Sequence, residues 1–277
     1  MSQQLSGHKL GTAVVSKIFE TSLEFKSDFL FPQWADAAEL ITLSVHGWLV
    51  KNNGKIYLID TGIGNGRKRP SPLFSDLDNP FLQRLAEQGV TPEQVDYVLI
   101  THIHTDHVGW NTSFKDGKWV PTFPNARYVF PQQSYQFFLT EQGKTVSGYA
   151  AFLDSVVPIV EAGLADFIPA SGGVIDEVFE YFPTPGHCTG HTSIRLTSGG
   201  EQGLFAGDVI HNLRQIQQPQ LACVFCEDKP LAEKTRLQVL EQVARDRTTY
   251  FSSHFSGSSV GTIEKRHERF IWQPVEG

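Results

Sequence analysis

The apolar residues of this chain come in short runs, each closed by a polar or glycine-containing stretch, and the runs differ in period. "LSVHGWLV" and "KIYLID" flank "KNNG" and predict a hairpin, because two apolar segments bracket an Asn and Gly turn signal. "NPFLQRLAEQGV" places Phe81, Leu82, Leu85 and Ala86 on one helical face and stops at Gly89. "VDYVLITHIH" is apolar without alternation, as a strand buried on both faces would be. "RYVF" and "FIPA" predict short strands, "QQSYQFFLTEQG" a helix ending at Gly143, and "PLAEKTRLQVLEQVARD" the clearest amphipathic helix. "VFEYFPTPGH", "HTSIRLTS", "GLFAGDVIH" and "TTYFSSH" are strand-like runs with polar ends. The order of hairpin, helix, strand, helix, strands, helix, strand predicts a mixed α/β protein with strands in more than one sheet. Residues 1–40, irregular and aromatic-rich ("FKSDFLFPQW"), predict an arm packed on the body or on a partner subunit, which would fit a homodimer. With no repeat, low-complexity tract or charged linker to divide it, 1–277 reads as a single domain.

Composition narrows the partners. A formal net charge of −7 disfavours nucleic acid, whose binding needs clustered Lys and Arg for counterion release. The one basic cluster, "GRKRP" at Gly66 to Pro70, is short and reads as a solvated loop. No run approaches the apolar length of a spanning helix and the first residues carry no leader pattern, so the expectation is a cytoplasmic chain without membrane contact. Three cysteines, Cys188, Cys223 and Cys226, are too few for a disulfide framework. The "ACVFC" pair reads as small buried residues, because no second pair completes a structural zinc site.

The candidate chemistry lies where apolar runs end in polar residues, at the tips from which a rigid scaffold projects side chains. In "THIHTDH", His102 and His104 are two apart in an extended segment and point the same way, towards one ion. Asp106 and His107 follow as the chain turns, so they diverge from the first pair and can serve a second ion. Each ion then needs ligands from distant segments. His187, Asp208 and His254 each close a strand-like run; if His187 completes the first set, His254 the second and the Asp208 carboxylate bridges both, each ion has His and carboxylate ligands with a position left for water. Each residue alone has a bland structural reading, as a hydrogen-bonded histidine or a turn-capping aspartate. The coincidence of seven at strand ends does not.

HxHxDH followed by separated His, Asp and His resembles the metallo-β-lactamase superfamily, over Val45 to Trp272. The resemblance implies an αββα sandwich, two mixed sheets packed face to face with helices outside and a dinuclear site along one edge. It implies two divalent metal ions, zinc first, with Mn, Fe or Co as alternatives, held by His102, His104, Asp106, His107, His187, Asp208 and His254. It also gives Asp60, in "YLIDTGIG", the role of orienting the motif loop.

Departures from other branches sharpen the function. The penicillin-destroying members lack either the His107 equivalent as ligand or the bridging aspartate. Glyoxalase II-like thioesterases carry a further helical domain, the RNA-processing branch needs an RNA-gripping surface, and flavodiiron proteins put Glu at a histidine position. The pattern is most similar to the lactonase and methyl parathion hydrolase branch, where the bridging aspartate sits in GD-x-x-[HY]; here "GDVIH" puts His211 three residues on. The expected activity is a metal-dependent hydrolase using a metal-bridging hydroxide on a small lactone, carboxylic ester or phosphotriester. Asp106 or Asp208 relays the proton, and His211 either donates a hydrogen bond to substrate or is a structural histidine. Alternatives are an iron-dependent redox enzyme on the same fold, or a weakly catalytic signal-binding protein. Trp48, Trp110, Phe29 and Phe31 are candidate walls of an apolar pocket, or core.

Overall fold

A computed structural model describes residues 7–34 and 39–275. The chain forms two compact units, one of residues up to Thr21 with Val45–Pro169, the other of Ser22–Ser44 with residues from Ala170 onward.

The first unit is built on a seven-stranded sheet in the order His8–Leu10, Ala13–Lys26, Leu40–Asn52, Lys55–Ile59, Tyr97–Leu99, Arg127–Pro131, Ala165–Ile168. It is mixed: Leu40–Asn52 and Lys55–Ile59 form the expected antiparallel hairpin, whereas Lys55–Ile59, Tyr97–Leu99, Arg127–Pro131 and Ala165–Ile168 run parallel. Parallel strands need crossovers, and the helices Phe81–Glu87, Gln132–Phe138, Tyr149–Ser155 and Val157–Glu161 supply the apolar faces that cover them. Leu58, Val98, Ile100, Tyr128 and Phe130 pack with Phe81, Leu85, Phe138, Phe152 and Ile159 in one core. Each such side chain contributes about 1.5–3 kcal/mol by leaving water. Phe81 and Leu85 are buried as expected, but Ala86 is exposed.

The second unit contains a seven-stranded mixed sheet in chain order, from Gly173–Ile175 through Phe179–Pro183, Thr192–Ser198, Glu201–Phe205, Thr249–Phe251 and Val260–Arg266 to Arg269–Pro274. Only Glu201–Phe205 and Thr249–Phe251 are parallel, joined by the helix Lys229–Asp246. That helix starts where Asp228 accepts the Leu231 N–H at 3.0 Å and Pro230 fills a first-turn position, and it ends at Arg247, which is left-handed. Its Val239, Leu240 and Val243 pack with Leu204, Tyr250, Ile263 and Phe270.

Two sequence expectations are corrected. Within the first 40 residues, 8–10 and 13–26 are strands, not an irregular arm; Ala13–Lys26 is buried at Ala13, Val15, Ile18, Leu23 and Phe25, much of it at period two. Residues 1–6 and 35–38 of that expectation lie outside the described residues. The basic cluster is not a solvated loop: Arg67 is 1% exposed, bonded to Asp154 at 2.8 Å and to the Gly109 and Thr112 carbonyls, and stacked 4.0 Å over Trp119. Arg69 reaches the same carboxylate at 2.7 Å, leaving Lys68 as the solvent-facing cation of the three.

Candidate metal centre

In the first unit the strand Tyr97–Leu99 ends into Thr101 and His102, and the short helix Thr105–Val108 carries Asp106 and His107. The rings of His102 and His104 lie 4.6 Å apart and those of His102 and His107 4.1 Å apart, so the motif histidines form one cluster. Asp60 orients two of them. Its Oδ2 accepts from His107 Nδ1 at 2.8 Å and from the Thr101 hydroxyl at 2.8 Å, and its Oδ1 accepts the Thr101 N–H at 2.9 Å. A hydroxyl has one proton; once Thr101 Oγ1 gives it to Asp60, it must accept from His102 Nδ1, 3.0 Å away. One carboxylate thus fixes the tautomer of two histidines, placing the Nε2 lone pairs where a metal ligand needs them. Asp60 sits at φ 54°, a left-handed conformation that Asp and Asn tolerate.

The loop opposite this motif is locked by a buried carboxylate that the sequence reading passed over. Glu20 accepts the N–H groups of Ile63 and Gly64 at 2.6 and 2.9 Å and the Trp110 indole N–H at 2.8 Å. Burial pushes its pKa up while these donors pull it back. Gly109 is required here, since a Cβ would come within 1.9 Å of the Ile63 backbone.

In the second unit, His187, Asp208, His211 and His254 come together. Asp208, closing the strand Glu201–Phe205, is 4% exposed and is surrounded by three imidazoles: His254 Nε2 lies 3.0 Å from Oδ1, and His187 Nε2 and His211 Nε2 lie 3.3 and 3.4 Å from Oδ2. His254 gives its Nδ1 proton to the Ser44 carbonyl at 3.0 Å, so its Nε2 faces the carboxylate as a lone pair. His187 turns its Nδ1 to Cys226 Sγ at 3.7 Å. Neither ring nitrogen of His211 makes a hydrogen bond among the described residues, although the side chain is 1% exposed. His187, His211 and Cys226 offer donor atoms within 4.8 Å of one another. Buried nitrogen lone pairs gathered on a carboxylate are electrostatically unfavourable unless a cation joins them, so this donor set fits a divalent ion of the zinc type.

The sequence reading missed His191. Its Nε2 accepts the Asp208 N–H at 2.9 Å while its Nδ1 donates to the Thr184 carbonyl at 2.9 Å, which fixes the Asp208 backbone. The cysteines are free and buried, as expected. Burial raises Cys188 and Cys223, whereas the Cys223 thiol, hydrogen-bonded to Cys226, draws Cys226 down to about 6. Of the candidate pocket walls, Trp110 is core: it stacks on Phe81 at 5.7 Å and spends its N–H on Glu20. Trp48 and Phe31 are also buried, and Trp48 packs on the edge of His46. Phe29 alone is open, at 52%.

A profile of the metallo-beta-lactamase superfamily matches residues 41–254, which include the motif, Asp60, His187, Asp208 and His254. The chain belongs to the metallo-beta-lactamase superfamily. Its mixed sheets and flanking helices are the α/β sandwich of that family, as the sequence predicts. Among relatives, an N-acyl homoserine lactonase, AttM of Azorhizobium caulinodans, is 26% identical over 59% of this chain and 63% of its own length. A probable metallo-hydrolase, YybB of Bacillus subtilis, is 23% identical over 54% of this chain and 56% of its own. The matches thus span less than two thirds of these relatives. Among solved structures, the hydrolase AbOPH superposes with a TM-score of 0.84 at 23% identity, covering 99% of both chains. AidC, a dizinc quorum-quenching lactonase bound to the product N-hexnoyl-L-homoserine, superposes with 0.81 at 21% identity, also over 99% of both. No helix among the described residues is long and apolar enough to cross a membrane.

Proposed function

We propose that this protein is a dinuclear metal-dependent hydrolase of small lactones and carboxylic esters, with phosphotriesters as a secondary substrate class. The observation that carries the reading is the convergence of three buried imidazoles on the Asp208 carboxylate at 3.0–3.4 Å, with the His254 tautomer set by the Ser44 carbonyl. His102, His104, Asp106, His107, His187, Asp208 and His254 are the proposed ligands, with Asp208 shared. Two divalent ions, zinc first, would there supply a water acidic enough to ionise near neutral pH and an electrophile for the substrate's carbonyl or phosphoryl oxygen.

The protein's own groups divide the remaining work. Asp106, with a side chain 19% exposed, is the proton relay: its carboxylate takes the proton lost by the attacking water and returns it to the leaving oxygen. Asp208, at 5%, is surrounded by imidazoles and acts as a ligand in preference to a relay. His211 donates from a ring nitrogen to the substrate oxygen, in the position three residues after the aspartate. The lactone preference is supported by the N-acyl homoserine lactonases among the relatives and by the product-bound AidC structure, and an arylester or phosphotriester activity by His211 in the GD-x-x-H context.

The test is elemental analysis of the purified protein with a hydrolysis screen over acyl-homoserine lactones, other lactones, aryl esters, phosphotriesters and β-lactams. The expected result is two equivalents of divalent metal and turnover on lactones or aryl esters, lost in Asp208→Ala together with bound metal. Retention of two ions and full activity in that variant would sink the bridging role. A coloured, iron-loaded protein that consumes oxygen would replace hydrolysis with redox chemistry.

A further inference from the structure

The histidines around the proposed centre differ in what holds their Nδ1. His102 gives its proton to the Thr101 hydroxyl oxygen, His107 to Asp60, His191 to the Thr184 carbonyl and His254 to the Ser44 carbonyl, at 2.8–3.0 Å. His187 instead faces sulfur, Cys226 Sγ, at 3.7 Å. We infer that Cys226 is a positioning residue for His187: its sulfur accepts the Nδ1 proton and so holds the ring with Nε2 directed at the metal side, 3.3 Å from Asp208 Oδ2.

The contact is built by the backbone. The N–H of Glu227, next to Cys226, donates to the His187 carbonyl at 2.9 Å, and that of Asp228 to the Gly186 carbonyl at 3.0 Å, so the segments lie in fixed register. Gly186, at φ 123°, is pressed against the helix Lys229–Asp246; a Cβ there would come within 2.2 Å of the Ala232 nitrogen. His187 therefore cannot be carried away from Cys226 without breaking this clamp. Both side chains are at least nine-tenths buried, which keeps water from replacing the sulfur as acceptor. Cys223 brings its own thiol to Cys226 through the turn closed by Cys226 N–H to Cys223 O at 3.1 Å, orienting the sulfur from the other side. The ACVFC pair, which by spacing alone reads as small buried residues, acquires a second role here. Of these five histidines, His187 is the one whose Nδ1 faces sulfur in place of oxygen.

This inference rests on the proposed dinuclear reading, and the experiment separates the two. The purified enzyme is stripped, then titrated with zinc against a chromophoric chelator to obtain both dissociation constants, for the native protein, Cys226→Ala and Cys226→Asn. The expected result is that Cys226→Ala weakens one ion by about 10–100-fold and leaves the other unchanged. Cys226→Asn, whose amide oxygen reaches further from Cβ than sulfur does, should restore most of the loss, and a packing role would not give that rescue. An unchanged urea midpoint guards against a folding defect. Native protein that binds two ions beside a Cys226→Ala variant with unaltered constants would overturn the positioning role and leave the hydrolase reading standing. Native protein that binds no metal would overturn both. A sulfur-to-metal charge-transfer band in the cobalt-loaded native protein, absent in Cys226→Ala, would make Cys226 a ligand and overturn the positioning role.

Discussion

Replacing Asp60 with Asn changes one functional group and nothing of the shape, and its consequences can be worked through atom by atom. The left-handed backbone at φ 54° suits Asn as well as Asp, so no strain is added. Asn keeps an oxygen for the Thr101 N–H, now 2.9 Å from Oδ1, but puts an NH2 donor where Oδ2 accepts two protons at 2.8 Å. His107 Nδ1–H then meets a donor. The contact survives only if His107 moves its proton to Nε2, which blocks the lone pair that a metal ligand needs. The Thr101 hydroxyl loses its acceptor as well, and with it the arrangement that keeps His102 Nδ1 protonated. Losing an orienting acceptor of this kind costs about 10–100-fold in metal affinity, or roughly 1.4–2.7 kcal/mol. In the proposed dinuclear centre Asp60 acts on His107 directly and on His102 through Thr101, so the loss should fall on both ions, more heavily on the one assigned to His107. Zinc titration against a chelator reads both constants, and urea unfolding of the metal-free protein shows whether the fold is intact. Wild-type constants for both ions in Asp60→Asn would refute the tautomer argument, and loss confined to the His102 ion would refute its direct route.

Other substitutions probe other parts of the structure. Glu20→Ala strands three buried donors and should cost about 2–4 kcal/mol after relief of the buried carboxylate; the readout is a lower urea midpoint at constant slope. His191→Phe removes the acceptor of the Asp208 N–H and should reduce turnover and metal affinity together while leaving the ligand set complete, checked by parallel kinetics and metal titration. Burial brings the Lys17 ammonium down to about 8, so between about pH 8 and 10.5 the unfolded chain binds the proton that the folded chain has released. Stability from this group therefore rises with pH across that window, and a Lys17→Met variant should lose that slope in unfolding curves taken at pH 8, 9 and 10.

The parts of this protein that were legible in its sequence are those written locally. HxHxDH lies within six residues at the end of an apolar run, and the hairpin, the parallel core strands and the helix Lys229–Asp246 each carry their own period or cap. What escaped was written over distance. Arg67 looks solvated within "GRKRP" because its partner Asp154 is 87 residues away, and the long N-terminal strand looked irregular because polar Ser16 and Glu20 are buried in it. His191 has no signal of its own, since its task is to receive a backbone proton from Asp208, 17 residues on.

The same distinction bears on function. The proposed ligands are residue types that name their own chemistry, but the readiness of the histidines among them to bind depends on the atom each Nδ1 faces. Those atoms come from a carboxylate, a hydroxyl, backbone carbonyls and a thiol, scattered from Ser44 to Cys226. Two relatives with identical ligands can therefore differ in which ion leaves first. Here the contrast is concrete: Asp60→Asn should weaken both ions, whereas Cys226→Ala should weaken only the one served by His187. A titration in which the two variants gave the same pattern would mean that the ligands respond to the site as a whole and not to their individual acceptors.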